Sequence, residues 1–173
     1  SLLAGDVNIL ANGANFSGTV DSSGAAHSLH VTSAAPVVFG AAIGSGLALQ
    51  NLTVDGGGVT TLNNLVHVLA AANFDNAVRL GSDLNLQGGT FRFGDTVDSG
   101  VGGPFALASI GTGTIEFVGD VGGLARLKNV DTSLAANTKL HGDLLARDSI
   151  RLSELHLLGP GGKLVSSQTS TID

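Results

Sequence analysis

Apolar residues alternate with polar ones over short stretches along most of the chain. Val7 and Ile9 form one such pair, and Leu29 and Val31 form another. A spacing of two residues sends both side chains to the same face of a β-strand. Gly, Asn, Asp and Ser separate these stretches, as in residues 55–58, and favour tight turns because Gly and Asn adopt positive φ angles readily. The pattern therefore predicts many short strands joined by turns.

A five-residue phrase recurs along the chain and adds a longer period to this alternation. Each copy begins with Phe or Leu and carries Val, Ile or Leu four residues later. The copies begin at Phe16, Phe39, Leu62, Phe74, Phe93, Phe117 and Leu140. These starts are separated by 23, 23, 12, 19, 24 and 23 residues. Recurring units of this size are typical of solenoids, in which each repeat packs on its neighbours.

We interpret each unit as one turn of an all-β parallel β-helix, a β-solenoid of about six to seven coils of 19–24 residues. One domain is expected over residues 1–165, followed by a polar tail or linker over residues 166–173. The seven phrase residues are predicted to form one interior core ladder, since equivalent positions stack about 4.8 Å apart. The 12-residue interval after Leu62 indicates a collapsed coil or a wrongly placed boundary. A β-sandwich with evenly spaced strands is the alternative fold.

Composition and charge exclude several classes of function. The 173 residues include 26 Gly but no Cys, Trp, Tyr or Met, so disulfides and thiolate metal sites are excluded. Only 13% of the residues are charged, and the net charge is −6. The eight Lys and Arg residues form no basic stripe in the sequence, which argues against nucleic-acid binding. No apolar run approaches the roughly 20 residues of a membrane-spanning helix.

Two residue patterns could indicate metal binding, and each has a simpler interpretation. Gly-Asp pairs recur at residues 5–6, 94–95, 119–120 and 142–143, yet the calcium-binding nonapeptide of β-rolls never appears intact. We therefore favour Asp residues that cap their own backbone in turns. The five histidines lack metal-ligand spacing and are expected to face solvent; they are His27, His30, His67, His141 and His156. No metal and no cofactor is predicted.

One set of charged residues could serve glycoside chemistry. Asp95, Asp98 and Asp120 would lie on neighbouring coils, near Arg92 and Arg126. Paired carboxylates can cleave glycosidic bonds, but the same set also fits a solvated acidic rim. Without Trp or Tyr, only Phe could provide an aromatic platform for a sugar ring. We predict that the chain is not an enzyme and assign no catalytic residue; a β-helix polysaccharide lyase or hydrolase is the third hypothesis.

Longer phrases carry a resemblance to a class of large secreted proteins. The segments FSGTVDSSGAAHSLHV, LQNLTVDGGGVTTLNN and NFDNAVRLGSDLNLQGGTFRFGDTVD resemble repeats of filamentous-haemagglutinin-like and autotransporter-type bacterial adhesins. The resemblance covers most of residues 3–145 and implies a right-handed β-helix located outside the cell or on the bacterial surface. The chain is short and has no visible secretion signal. We therefore expect either a segment of a giant protein or a small secreted subunit.

The preferred function is structural. We expect an extracellular fibre-forming or sheath-forming solenoid whose ends stack on other copies, or on neighbouring repeats of a larger chain, by strand addition. The alternative is an adhesin module that recognises a glycan or a host surface protein. Its candidate loop spans residues 98–108, where Asp98, Pro104 and Phe105 lie in a stretch that departs from the shared phrase.

Overall fold

The computed structural model describes residues 1–111, 113–159, 162–168 and 170–172, and every regular element there is a β-strand. The strands are β1 (Leu2–Leu3), β2 (Val7–Ala11), β3 (Ala14–Phe16), β4 (Asp21–Ser22), β5 (Leu29–Ser33), β6 (Val37–Phe39), β7 (Leu49–Asp55), β8 (Thr60–Phe74), β9 (Val78–Phe93), β10 (Val97–Ser99), β11 (Leu107–Ser109), β12 (Thr114–Phe117), β13 (Leu127–Thr132), β14 (Asn137–Leu140), β15 (Leu144–Leu152), β16 (Leu155–Leu157), β17 (Leu164–Val165) and β18 (Thr171–Ile172).

These strands pair in parallel with the equivalent strands of the next turn, which makes the chain a β-solenoid of about eight coils. Each coil has three strand faces, which we name A, B and C in chain order. One interior position of face A returns every 17 to 24 residues. It passes through Ile9, Val31, Val54, Phe74, Phe93, Phe117, Leu140 and Leu157. We number the coils one to eight by these residues.

The remaining strands complete faces B and C. Face B contains β3, β6, the first residues of β8 and β9, β10, the start of β15, and β17. Face C contains β1, β4, the middle of β8 and β9, β11, β13, the end of β15, and β18. The predicted solenoid is confirmed with slightly more coils than expected, because the seven phrase residues mark coils one to seven and no phrase marks the eighth coil, after Leu140.

Alternation along each strand separates the core from the surface. In β5, the side chains of Leu29, Val31 and Ser33 are buried, whereas those of His30 and Thr32 are partly exposed. Burying a large aliphatic side chain contributes about 1.5–3 kcal/mol, and each central coil buries several. The core is therefore a continuous apolar column along the solenoid axis.

The phrase residues form two ladders rather than the single ladder predicted. On face B, Phe16 pairs in register with Phe39, and Phe39 pairs with Leu62. The rings of Phe16 and Phe39 stack with centroids 4.8 Å apart. On face A, the second ladder consists of Phe74, Phe93, Phe117 and Leu140, with centroid distances of 5.4 and 5.3 Å between its rings. The 12-residue interval is too short for a full coil, so it carries the phrase from face B past face C to face A.

A longer internal repeat shows the same shift of the chain by one face. Residues 16–66, the first module, and residues 93–144, the second module, share the segment Thr-Val-Asp-Ser at residues 19–22 and 96–99. Val20 pairs with Ile43 on face C, whereas Val97 pairs with Val121 on face B. The same sequence pattern therefore occupies two different faces of the solenoid.

The described residues at the C-terminal end continue the coil. Leu164 pairs with Leu144, and Ile172 pairs with Leu152. The polar tail or linker predicted from residue 166 is thus partly strand over residues 171–172. Residues 169 and 173 lie outside the described residues.

Candidate functional site

Two neighbouring clefts open where the long loop of coil five meets coil six. Their volumes are about 320 and about 290 Å³, and Ser99, Gly100 and Ala125 line both. The first cleft is also lined by Gly103, Pro104, Arg126 and Arg147. The second is also lined by Arg79, Asp98, Val101 and Leu124. Residues of coils four to seven therefore meet at one place on the surface.

Hydrogen bonds at both ends fix the loop over residues 100–106. The Phe105 N–H donates to Ser99 Oγ at 2.9 Å, and the Ser99 N–H donates to the Ala125 carbonyl at 3.0 Å. Further along, the Ala106 N–H donates to the Asp83 carboxylate, and the Lys128 N–H donates to the Phe105 carbonyl, both at 2.8 Å. These contacts tie the loop to the coils on both sides, so the clefts are preformed.

A second loop, over residues 122–126, forms the opposite wall. Gly122 has a φ of 72°, a left-handed conformation that allows the sharp bend at the end of face B. The Leu124 and Ala125 N–H groups both donate to Asp98 Oδ1 at 2.9 Å. Only 5% of Asp98 is exposed. Its carboxylate therefore holds this loop in place.

The three predicted binding residues thus lie at the clefts in different roles. Pro104 lines the first cleft, and Asp98 forms part of the second while its carboxylate accepts two backbone N–H groups. Phe105 is half-buried against the core beneath the loop. Pro104 differs from the other two residues, because it lines a cleft and its side chain does not hold another part of the protein in place.

Sequence reasoning named Arg126 beside the acidic set but missed its grouping with Arg79 and Arg147 at the clefts. Arg79, Arg126 and Arg147 are 47 and 21 residues apart, which corresponds to two coils and one coil. A search for basic residues at multiples of the coil length would have grouped them. Among the described residues, no carboxylate lies within 4.0 Å of the Arg79 or Arg126 guanidinium, while Arg147 Nε lies 3.7 Å from Asp148 Oδ1. The first cleft, which Arg126 and Arg147 line, is therefore locally positive in a chain of net charge −6, whereas Arg79 shares the second cleft with the buried carboxylate of Asp98.

The Asp residues of the Gly-Asp pairs mostly bond the next coil rather than their own backbone. Asp6 accepts the Ser28 N–H at 2.8 Å, and Asp120 accepts the Asp143 N–H at 2.8 Å. Asp95 instead accepts the N–H of its neighbour Thr96. Within the described ranges, no group of three or more His, Asp or Glu side chains is placed to hold a metal ion.

The histidines lie on outer faces, as expected, but four of them face carboxylates. His30 Nε2 lies 2.8 Å from Asp55 Oδ2, and His141 Nε2 lies 2.9 Å from Glu116 Oε1. The pKa of Asp55 is lowered by the hydrogen bond from His30 and by a second bond from Thr32, which together outweigh its partial burial. The remaining pairs are His27 with Asp6 and His156 with Glu154.

The three carboxylates considered for glycoside chemistry, and Arg92 beside them, have separate structural partners. Asp98 holds the loop over residues 122–126, and Asp95 and Asp120 accept backbone N–H groups. Arg92 pairs with Asp75, and its Nε lies 3.9 Å from Glu116 Oε2. Each of the three carboxylates therefore has a structural partner, and these contacts do not bring two of the carboxylates together as a reacting pair.

The geometry defines a β-solenoid repeat protein with an arginine-lined cleft on one side. No family model, curated protein or solved structure matches the chain. The resemblance to haemagglutinin-like adhesins consequently rests on the repeat phrases alone. In the part of the chain that the structure describes, no helix is long and apolar enough to span a bilayer.

Proposed function

We propose that this chain is a structural β-solenoid whose copies stack end to end into a fibre or sheath. The observation that supports the proposal is the incomplete burial of ladder positions in coils one and eight, which another copy or neighbouring repeats of a larger chain would cover in the same way. Phe39 is 1% exposed, whereas Phe16 in the same ladder is half-buried. At the other end, Leu157 is 55% exposed, although Leu140 in its ladder is fully buried.

Head-to-tail stacking would cover both end surfaces with the same type of contact that joins successive coils. The first and last coils share the three-faced arrangement, so a second copy can continue each ladder and each strand pairing. Edge strands with unpaired backbone groups are templates for such addition. A head-to-tail contact does not close on itself and therefore produces a filament.

The proposal places this assembly outside the bacterial cell or on its surface. Support comes from the resemblance of the repeat phrases to secreted adhesins and from the low content of charged residues, 13%. A fibre of this kind would act by presenting a long, regular surface, and it would need no cofactor.

Electron microscopy and sedimentation at increasing protein concentration test the stacking. We expect filaments with an axial repeat of about 38 Å, from about eight coils at 4.8 Å. Ile9→Lys places a charge in the end ladder and should abolish filaments. Leu10→Lys makes the same change at an outward residue that is 87% exposed, and should preserve them. Dispersed rods at every concentration would overturn the proposal.

A second function is supported by the clefts, which lie where the long loop interrupts the repeat. We propose that this loop makes the solenoid a binding module for a glycan or a host surface protein. Replacing residues 100–105 with a short turn, such as the one over residues 81–83, should remove binding while circular dichroism still reports the solenoid. Unchanged binding to every screened partner would contradict this function.

A further inference from the structure

We infer that the two clefts bind an oligosaccharide that carries carboxylate groups. This inference rests on the second proposed function, the binding module, and specifies the chemistry of its ligand. Its basis is the set of three arginines that the coil register brings together around the loop over residues 100–106.

The positions of the arginines favour an extended ligand. Arg79 belongs to coil four, Arg126 to coil six and Arg147 to coil seven. Coils four and seven are about 14 Å apart at 4.8 Å per coil. One carboxylate cannot reach all three side chains, so a ligand with several acidic groups fits this arrangement. The two clefts share Ser99, Gly100 and Ala125 as lining residues, so one extended ligand can contact both.

The charge of the clefts favours carboxylates. A guanidinium presents a planar fork of N–H donors that matches the two oxygens of a carboxylate. The carboxylate that borders the second cleft, Asp98, already accepts two backbone N–H groups and is buried. Among the described residues, Arg79 and Arg126 have no carboxylate within 4.0 Å, and the exposed Arg147 makes a long contact with Asp148 at 3.7 Å, so their guanidinium groups can bind an anionic ligand.

The apolar parts of the cleft walls favour sugar rings over nucleic-acid bases. Val101 is fully exposed and Leu124 is 86% exposed, and both border the second cleft. These side chains and Pro104 offer apolar contact to the carbon faces of a sugar. Base recognition in single strands relies on aromatic stacking, and the nearby aromatic residue, Phe105, packs against the core.

Titration calorimetry with an oligogalacturonate of defined length tests the inference, with a neutral oligoglucoside of equal length as the ligand control. Arg126→Gln and Arg147→Gln remove positive charge from the first cleft, and Arg79→Gln removes it from the second. We expect each variant to bind the oligogalacturonate about 10-fold more weakly, as for loss of a charge-assisted hydrogen bond. We expect no measurable binding of the neutral sugar.

Arg151→Gln is the matched protein control. Arg151 lies on the next strand face, outside the clefts, with its guanidinium 3.6 Å from Asp131. We expect this variant to bind like the parent. Equal weakening by Arg151→Gln, or equal binding of a single-stranded DNA oligomer, would indicate general attraction of polyanions and overturn the inference.

Two further results separate this inference from the proposed functions. Equal binding of the neutral and acidic sugars would overturn the carboxylate selectivity but retain the binding module. Binding of neither sugar, with another partner still dependent on the loop, would overturn the ligand class alone. Filament formation by the arginine variants should match that of the parent, because the three arginines lie on the side of coils four to seven and outside the end coils, one and eight.

Discussion

The first and second modules use the same phrase to build two different parts of the surface. In both, a buried Asp holds the next coil's loop: Asp21 accepts the Gly46 N–H, and Asp98 accepts those of Leu124 and Ala125. The second module is turned by one face and carries the additional loop over residues 100–106. The phrase therefore specifies a strand and its following bend, whereas the clefts arise where an insertion interrupts it.

The second module can lie one face away from the position of the first because each bend depends on a glycine within the bend itself. Gly44 and Gly122 each have a φ of 72° and begin a loop with the same backbone conformation. Each glycine lies against a carbonyl of the following coil, that of His67 or of Leu145. Face C accepts this bend after Ile43, and face B accepts it after Val121, because both positions point into the core.

The largest expected effect comes from the aromatic ladders. Phe93→Ala removes a fully buried ring stacked between Phe74 and Phe117 and should lower the free energy of unfolding by about 3–5 kcal/mol. Phe16→Ala in the first module should cost less than half of this, since Phe16 is half-buried with one stacked neighbour. Urea denaturation measures both, and equal losses would show that the end coil is as well packed as the centre.

The bends should give the next largest effect, and a similar one in both modules. Gly44→Ala and Gly122→Ala force a side chain into a left-handed conformation and against a carbonyl group, which should cost about 1–3 kcal/mol. Gly18→Ala is the control, because a Cβ atom there meets nothing within 4 Å. Thermal unfolding that affects Gly44→Ala but not Gly122→Ala would contradict the equivalence of the bends.

The smallest effect concerns the buried carboxylates and depends on pH. Burial by itself would raise the pKa of Asp21, but hydrogen bonds from Gly46, Thr19 and Ser45 outweigh it and lower the pKa. A lowered pKa in the folded state stabilises the protein above the ordinary Asp value of about 3.9 and loses that effect as the pH falls through the folded pKa.

Asp21→Asn should therefore lower the free energy of unfolding by about 1 kcal/mol at neutral pH. At an acidic pH, below the lowered pKa of Asp21 in the folded state, the difference between parent and variant should shrink towards zero. Urea titrations at the two pH values measure it. If the difference in the free energy of unfolding persists unchanged in acid, the effect of the substitution does not come from the loss of the carboxylate charge.

Much of the fold could be predicted from sequence because its signals are local. Alternation within five residues placed Leu29 and Val31 inside β5, and the phrase identified Phe39, Phe93 and Phe117 as core residues. The division into two ladders was missed because the phrase marks a position within a strand but not the face of the solenoid on which that strand lies. That depends on the summed lengths of all intervening turns, and the 12-residue interval shifts every later coil.

The candidate site was less predictable for the same reason. The loop over residues 98–108 was identified by its departure from the phrase, and Pro104 does line a cleft. Asp98 looked available in the sequence, but its partners Leu124 and Ala125 are 26 and 27 residues away. Arg79 and Arg147 looked scattered, since only the register of four coils brings them to one surface.

The strands, the turns and the alternation of inward and outward side chains could be derived from the residue pattern alone, because they follow from steric preferences over a few residues. Which coil positions meet is a property of the folded chain as a whole. Register accumulates over successive turns, and hydrogen bonds between coils select it. The two ladders, the loop held by Asp98 and the arginines around the clefts all depend on that register.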